Sequence, residues 1–192
     1  MKRLPDGMRE RILSAAELIA ERGLDGTKIE DVAETTGVPK ATLYYYFDGK
    51  EDILAFLFTE ILQEVQIGVQ AAMGSDGTAA DRLARVVAAH IDVVERYPAA
   101  SRALQFDLGR AARIPRIAEL TQSTYVVPVT ELLEAGADDG SLRAVAHPRV
   151  VATAILGAVS TVGINTLTVG KTRPAERVVA DVLDLVMGGL GT

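Results

Sequence analysis

Cysteine and tryptophan are absent from the 192 residues, and only two histidines, His90 and His147, occur. The missing cysteines exclude disulfides and thiolate metal sites, and they suit a reducing cytoplasm. Two isolated histidines leave no ligand spacing for a zinc centre and no nucleophile–base pair for hydrolysis. Aromatic residues make up only 5% of the chain, so any core must be largely aliphatic. Strand-period alternation, internal repeats and low-complexity tracts are also missing. The opening MKRLPDGMRER has no apolar stretch of the kind a signal peptide needs. What remains is a chain of 48% hydrophobic residues, enough for one good core or a small head on a larger body.

The apolar spacing is helical nearly throughout. Met8, Ile12, Ala15, Ala16 and Ile19 share one face of a helix over 7–22 that ends at Gly23. Thr27 and Glu30 have the spacing of a capping box before a short helix carrying Ile29, Val32 and Ala33. Gly37 supplies a tight turn, and Pro39 suits the first turn of the next helix, 39–46. Asp48 or Gly49 then caps a long helix from Lys50 to Met73. After the break Gly74-Ser75-Asp76-Gly77, further helices are expected at 78–96, 98–110, 115–135, 147–168 and 174–188. The last of them are divided by the turn-like stretches AGADDGS and VGKTRP.

Three of the five tyrosines, Tyr44, Tyr45 and Tyr46, stand together in VPKATLYYYFDGKEDIL. With Val32, Val38 and Leu43 as a small core and Ala33 where two helices approach, the pattern is that of a helix-turn-helix. Lys40, Thr42, Tyr45 and Lys50 would be exposed on the second helix and just beyond it. Hydroxyls and ammonium groups so placed can hold phosphates and reach base edges. Charge alone opposes this reading. The chain carries −6 overall, and residues 1–50 hold eight Lys/Arg against nine Asp/Glu, so local arrangement must supply the positive face.

The run T-K-I-E-D-V-A-E-T-T-G-V-P-K-A-T-L-Y-Y-Y-F-D-G-K-E-D-I-L resembles the DNA-binding domain of the tetracycline-repressor (TetR) family. Gly37-Val38 matches the family turn, Thr42-Leu43-Tyr44 the recognition helix, Phe47 the aromatic that ends it, and Lys50-Glu51 the start of the fourth helix. Thr36 and Gly49 depart from the alanine and serine often found there. The resemblance implies an all-α fold: a three-helix head at 1–50 (family-type domain about 7–67) joined by a long helix to a ligand-binding and dimerisation body at 51–192. It also implies a homodimer that binds a near-palindromic DNA operator, with a small-molecule effector and no cofactor.

Within that frame Lys40 and Pro39 are the candidates for base-edge contact and Thr42 for a thymine methyl or a phosphate. Thr27, Lys28, Tyr45, Tyr46 and Lys50 are the candidates for phosphates, and the resemblance gives Tyr44 a similar role. Lys2, Arg3, Arg9 and Arg11 could add an electrostatic arm.

The body is less clearly marked. His90, Gln105, Phe106, Thr121 and Tyr125 are candidates for a ligand cavity, which Pro128 would help to open by kinking its helix. The cavity would suit a hydrophobic or amphipathic molecule. Val150–Gly170 runs 21 residues without a charge, long enough for a membrane span. Its Asn165, threonines and glycines instead suggest a helix buried on nearly all sides of a soluble protein. Ala154, Gly157, Ala158, Thr161, Val178, Val182 and Leu185 are candidates for a four-helix bundle between two subunits. The expected function is a dimeric, ligand-responsive transcriptional regulator, a repressor released by its effector, and not an enzyme. A DNA-silent helical module with a protein partner, and an enzyme with a helical cavity, are the alternatives.

Overall fold

The computed structural model describes residues 4, 5, 7–111, 113–168 and 175–190. Its elements are α1 (Met8–Leu13), α2 (Ala15–Gly26), α3 (Ile29–Thr36), α4 (Lys40–Tyr46), α5 (Lys50–Met73), α6 (Ala79–Arg96), α7 (Pro98–Phe106), α8 (Leu108–Ala111), α9 (Pro115–Thr121), α10 (Val127–Asp139), α11 (Pro148–Thr168) and α12 (Ala175–Leu190). A single π-helical turn, Gln122–Val126, lies between α9 and α10. No strand occurs among the described residues. Lys2 and Arg3, expected in an electrostatic arm, fall outside them, as does the stretch 169–174 that covers most of VGKTRP.

Two compact units form. The first takes the chain up to Ile61 together with Ala99–Ala118, and the second takes Leu62–Pro98 and Glu119 onward. The inclusion of Ala99–Ala118 with the head has an ionic cause. Arg110 pairs with Asp25 at 2.7 Å and lies 3.6 Å from Glu51, and Arg102 pairs with Glu17 at 2.8 Å. Asp107 accepts the backbone N–H of Leu24 at 3.2 Å. Met8, Ile12, Ala15, Ala16 and Ile19 are all buried, so the expected apolar face of the opening helix is the one the fold uses.

Several boundaries differ from the spacing-based expectation. The opening helix is interrupted at Ser14, whose hydroxyl donates to the Arg11 carbonyl at 2.7 Å, a local bond that competes with the helical ladder. Gly23 takes φ 68°, and a last turn continues to Gly26. Thr27 does not cap α3 with Glu30. Its buried hydroxyl donates to the Gly23 carbonyl at 2.8 Å, while Asp31 accepts the Lys28 N–H at 3.1 Å. Asp52 accepts the Asp48 N–H at 3.0 Å, so the start of α5 is capped from inside the helix. In the stretch expected to turn at AGADDGS, α10 continues to Asp139 and ends at Gly140 with φ 76°.

In the second unit α6 packs against α10, α11 and α12. Leu83, Val86, Val87, His90, Val93 and Val94 form its buried stripe. On α11 the residues Ala152, Ile155, Val159 and Ile164 turn inward. The expectation that this helix is buried on nearly all sides does not hold within one chain. Pro148–Asn165 is long and apolar enough to cross a membrane, yet only 28% of it is buried.

Close approach of α5 and α6 depends on a missing side chain. A Cβ on Gly68 would lie 2.7 Å from the Ala89 Cβ, an atom with no freedom to move aside. Gly68→Ala gains about 1 kcal/mol of helix propensity but forces the two backbones apart. We expect a net loss of about 1–2 kcal/mol in urea denaturation, against the gain that an unhindered helical glycine would give.

Candidate DNA interface and buried polar cluster

The turn between α3 and α4 is built by Gly37, at φ 61°, and held by groups distant in sequence. Arg11 donates through Nε to the Thr36 carbonyl at 3.0 Å and through Nη2 to the Gly37 carbonyl. Thr36 is buried; its hydroxyl donates to the Val32 carbonyl at 2.7 Å and accepts the Val38 N–H at 3.2 Å. The departure from alanine at this position therefore adds a bond across the turn. Arg11, expected as part of an electrostatic arm, is a clamp on the motif instead. Arg9, expected beside it, is paired with Glu60. No spacing rule could have found either, since each partner is remote along the chain.

Beneath the turn, Val32, Val38, Leu43 and Phe47 are buried, and Phe47 packs edge-on against Phe56 at 5.9 Å. That small core leaves the other face of α4 outward. Tyr44 is 52% and Tyr45 60% exposed, Thr42 and Tyr46 are half-buried, and Tyr45 and Tyr46 meet edge to face at 4.9 Å. Pro39 is the N-cap of α4, and Pro39 and Lys28 are exposed.

Lys40 is exposed, with its ammonium 5.8 Å from the Tyr44 ring and paired with Glu30 of α3. The hydrogen bond from Lys40 holds the Glu30 carboxyl below its usual range, and the same bond raises the Lys40 pKa. A surface pair of this kind is weak enough for a phosphate or base edge to displace.

Two other candidates sit differently from the expectation. Thr27 is buried within the head. Lys50 donates to the Asp25 and Thr27 carbonyls, each at 3.3 Å, and so ties the end of α2 to the start of α5.

The second unit holds a cluster of buried polar groups. His90 is buried, its Nε2 lies 3.4 Å from Ser160 Oγ, and its ring meets the fully buried Tyr125 ring edge to face at 5.2 Å. His90 Nδ1, Thr124 Oγ1 and Tyr125 Oη have no protein partner. Each such atom costs about 1–3 kcal/mol when left unbonded.

Pro128 explains the local backbone. Without an N–H it cannot bond the Thr124 carbonyl, and its ring crowds that group. The chain widens instead, and the Val127 N–H donates to the Gln122 carbonyl in a π turn. Where a kink was expected at Pro128 the structure has this π turn, and Thr124, Tyr125 and Val126 are all buried there.

Of the remaining cavity candidates, Gln105 and Thr121 are half-buried and Phe106 is 67% exposed. Among the interface candidates, Ala154, Gly157, Thr161 and Leu185 face outward and Ala158 is half-buried, while Val178 and Val182 turn into their own chain.

A glycine-turned pair of short helices, with the second exposed over its own core, defines a helix-turn-helix protein. Residues 12–56 match the model for bacterial regulatory proteins of the tetR family, and residues 76–164 match a tetracyclin repressor-like C-terminal domain. The chain belongs to the TetR family. It is 33% identical over 81 residues to a fatty acid metabolism regulator protein of Bacillus subtilis, covering 42% of each chain. It spans less than half the length of the curated relatives it matches.

The fold is shared over nearly the whole chain with solved structures. The ketosteroid transcriptional regulator KstR2 of Mycobacterium tuberculosis aligns with a TM-score of 0.80 at 23% identity, over 98% of this chain and 97% of that one. FadR of Bacillus subtilis, solved with stearoyl-CoA, aligns at 0.78 and 21%, over 94% and 98%.

Burial holds the His90 pKa down to about 4 from 6.5, because the charged ring would be stripped of water. The unfolded chain therefore binds the extra proton first, and the stability is complete above pH 6.5 and is lost as pH falls towards 4. Between pH 7.5 and 5.0 we expect the protein to lose about 2 kcal/mol more than His90→Leu, at about 1.4 kcal/mol per pH unit below 6.5. Paired urea titrations at the two pH values measure this difference.

Proposed function

We propose that the protein is a homodimeric transcriptional repressor that binds a near-palindromic DNA operator and leaves it when a hydrophobic or amphipathic effector enters the body. The observation that carries this is the outward face of α4, where Lys40, Thr42, Tyr44 and Tyr45 stand together over the buried core of the motif. Family membership supports it, and so does the relative named as a fatty acid metabolism regulator. No enzymatic role is proposed.

The roles follow from position. Lys40 and Thr42, on the first turn of α4, read base edges, with Pro39 beside them. Lys28, Tyr44, Tyr45 and Tyr46 hold phosphates and set register. Thr27 and Lys50 keep the head in shape. Two such heads enter successive major grooves about 34 Å apart. DNA competes with Glu30 for Lys40, so the acidic balance of the head favours sites at which Lys40 makes the better contact.

Dimerisation follows from the outward face of α11. Val150, Ala154, Gly157 and Thr161 form an uncharged exposed row on α11, and Leu185 of α12 is exposed as well, so a second copy can pack against this face. A Cβ on Gly157 meets nothing within 4 Å in its own chain. Gly157→Glu therefore leaves the protomer folded while placing a charge in the subunit contact, and sedimentation should show the dimer converting to monomer. A variant that remains dimeric at micromolar concentration refutes this interface.

Selection of bound duplexes from random-sequence DNA tests the operator. Enrichment of an inverted repeat with half-sites one helical turn apart is expected. Lys40→Ala should lower affinity for that site about tenfold or more, at about 1–3 kcal/mol per good base contact. Lys50→Met should leave the salt slope within measurement error while lowering the melting temperature. Loss of one ion from the slope on Lys50→Met would return Lys50 to the phosphate contacts.

A further inference from the structure

The crossing of α6, the π turn and α11 holds more hydrogen-bonding capacity than its own residues use. His90 Nδ1, Thr124 Oγ1 and Tyr125 Oη are buried without protein partners, and Ser160 Oγ stands on the other side of the His90 ring. The groups come from separate elements: His90 from α6, Thr124 and Tyr125 from the π turn, Ser160 from α11. Two consecutive polar residues are buried within the π turn at Pro128, and such turns occur frequently at functional sites.

We propose that His90, Thr124, Tyr125 and Ser160 form the polar anchor of the effector site, taking the uncharged hydroxyl or carbonyl head of an aliphatic amphiphile and rejecting a carboxylate. The proposal rests on the effector-responsive reading above.

The discrimination comes from charge. Each of the four side chains is neutral at pH 7 and can donate or accept a hydrogen bond, which matches either an alcohol or a carbonyl oxygen. Among the described residues no Asp, Glu, Lys or Arg of α6, α10 or α11 is buried, although the Nε of half-buried Arg82 is. Arg85 and Asp92 of α6, Glu131 and Glu134 of α10 and Arg149 of α11 are all exposed. Arg82 lies eight residues from His90, about 12 Å along the helix at 1.5 Å per residue. A carboxylate head would enter without a counter-charge and would remain desolvated. The other buried side chains of these helices include Val86, Val94, Val129, Leu133, Ile155 and Val159, which suit an alkyl chain.

The test uses the full chain at pH 7.5 with three ten-carbon probes below their aggregation limits: 1-decanol, methyl decanoate and decanoate. Isothermal calorimetry should show both neutral probes binding at least tenfold more tightly than decanoate. Tyr125→Phe and Thr124→Val keep the shape of their side chains while removing a hydroxyl, so each should weaken the neutral probes about tenfold without unfolding the protein, as thermal melting verifies. Decanoate binding as tightly as the neutral probes, or both variants binding them like the wild type, overturns the proposal. So does the absence of binding by any probe, which would leave ordered water as the partner of these groups.

Random-duplex selection on the same preparation keeps the two readings apart. Operator enrichment without probe binding refutes the anchor alone. Neutral-probe binding that depends on Tyr125, but with no enrichment and no release, refutes the regulatory reading while the anchor stands.

Discussion

Between α3 and α4 the chain reverses over Gly37, whose φ of 61° a residue with a Cβ adopts only at a cost, and that reversal aims every exposed side chain of α4. The reversal leaves the Thr36 and Gly37 carbonyls facing outward from the end of a helix. Arg11 satisfies both with one planar guanidinium, and the Thr36 hydroxyl bridges from Val32 to Val38. With the turn held, Leu43 and Phe47 must point into the head, and Tyr44 and Tyr45 must point away from it. The candidate interface is thus a consequence of packing on the opposite side of a seven-residue helix.

The second unit solves a different problem with the same materials. Lacking both tryptophan and phenylalanine, it fills its core with valine, leucine and isoleucine, which pack well but offer no hydrogen bonds. Polar atoms within such a core stand out because nothing around them can substitute for water. Pro128 gathers two of them at the π turn, and α6 and α11 contribute the others. A backbone irregularity and a chemical one therefore coincide, which is the physical ground for treating the cluster as a recognition feature.

Charge is arranged locally in ways the total obscures. Asp and Glu outnumber Lys and Arg in the first fifty residues. Several of these groups are committed to partners: Asp25 with Arg110, Glu17 with Arg102, and Asp31 with the Lys28 N–H. An acidic count that is spent on internal pairs presents less repulsion to DNA than its sum suggests. The Lys40–Glu30 pair stands at the exposed start of α4, where it can exchange for a DNA contact.

The sequence by itself determined the helical fold, the position of the turn and the core of the motif, because periodic apolar residues and a glycine act through near neighbours. Val32, Val38 and Leu43 needed no structure to be placed inside, and neither did Met8, Ile12, Ala15, Ala16 and Ile19. Local pattern failed where a partner lay far along the chain. Arg11 on the turn, Lys50 on two carbonyls and Arg110 on Asp25 depend on which segments meet, and no periodicity encodes that. The same holds for α11, whose composition suggested burial all round. Only the packed chain shows that its small-residue face is left outward, because α6, α10 and α12 cover the opposite side and nothing within the described chain covers this one.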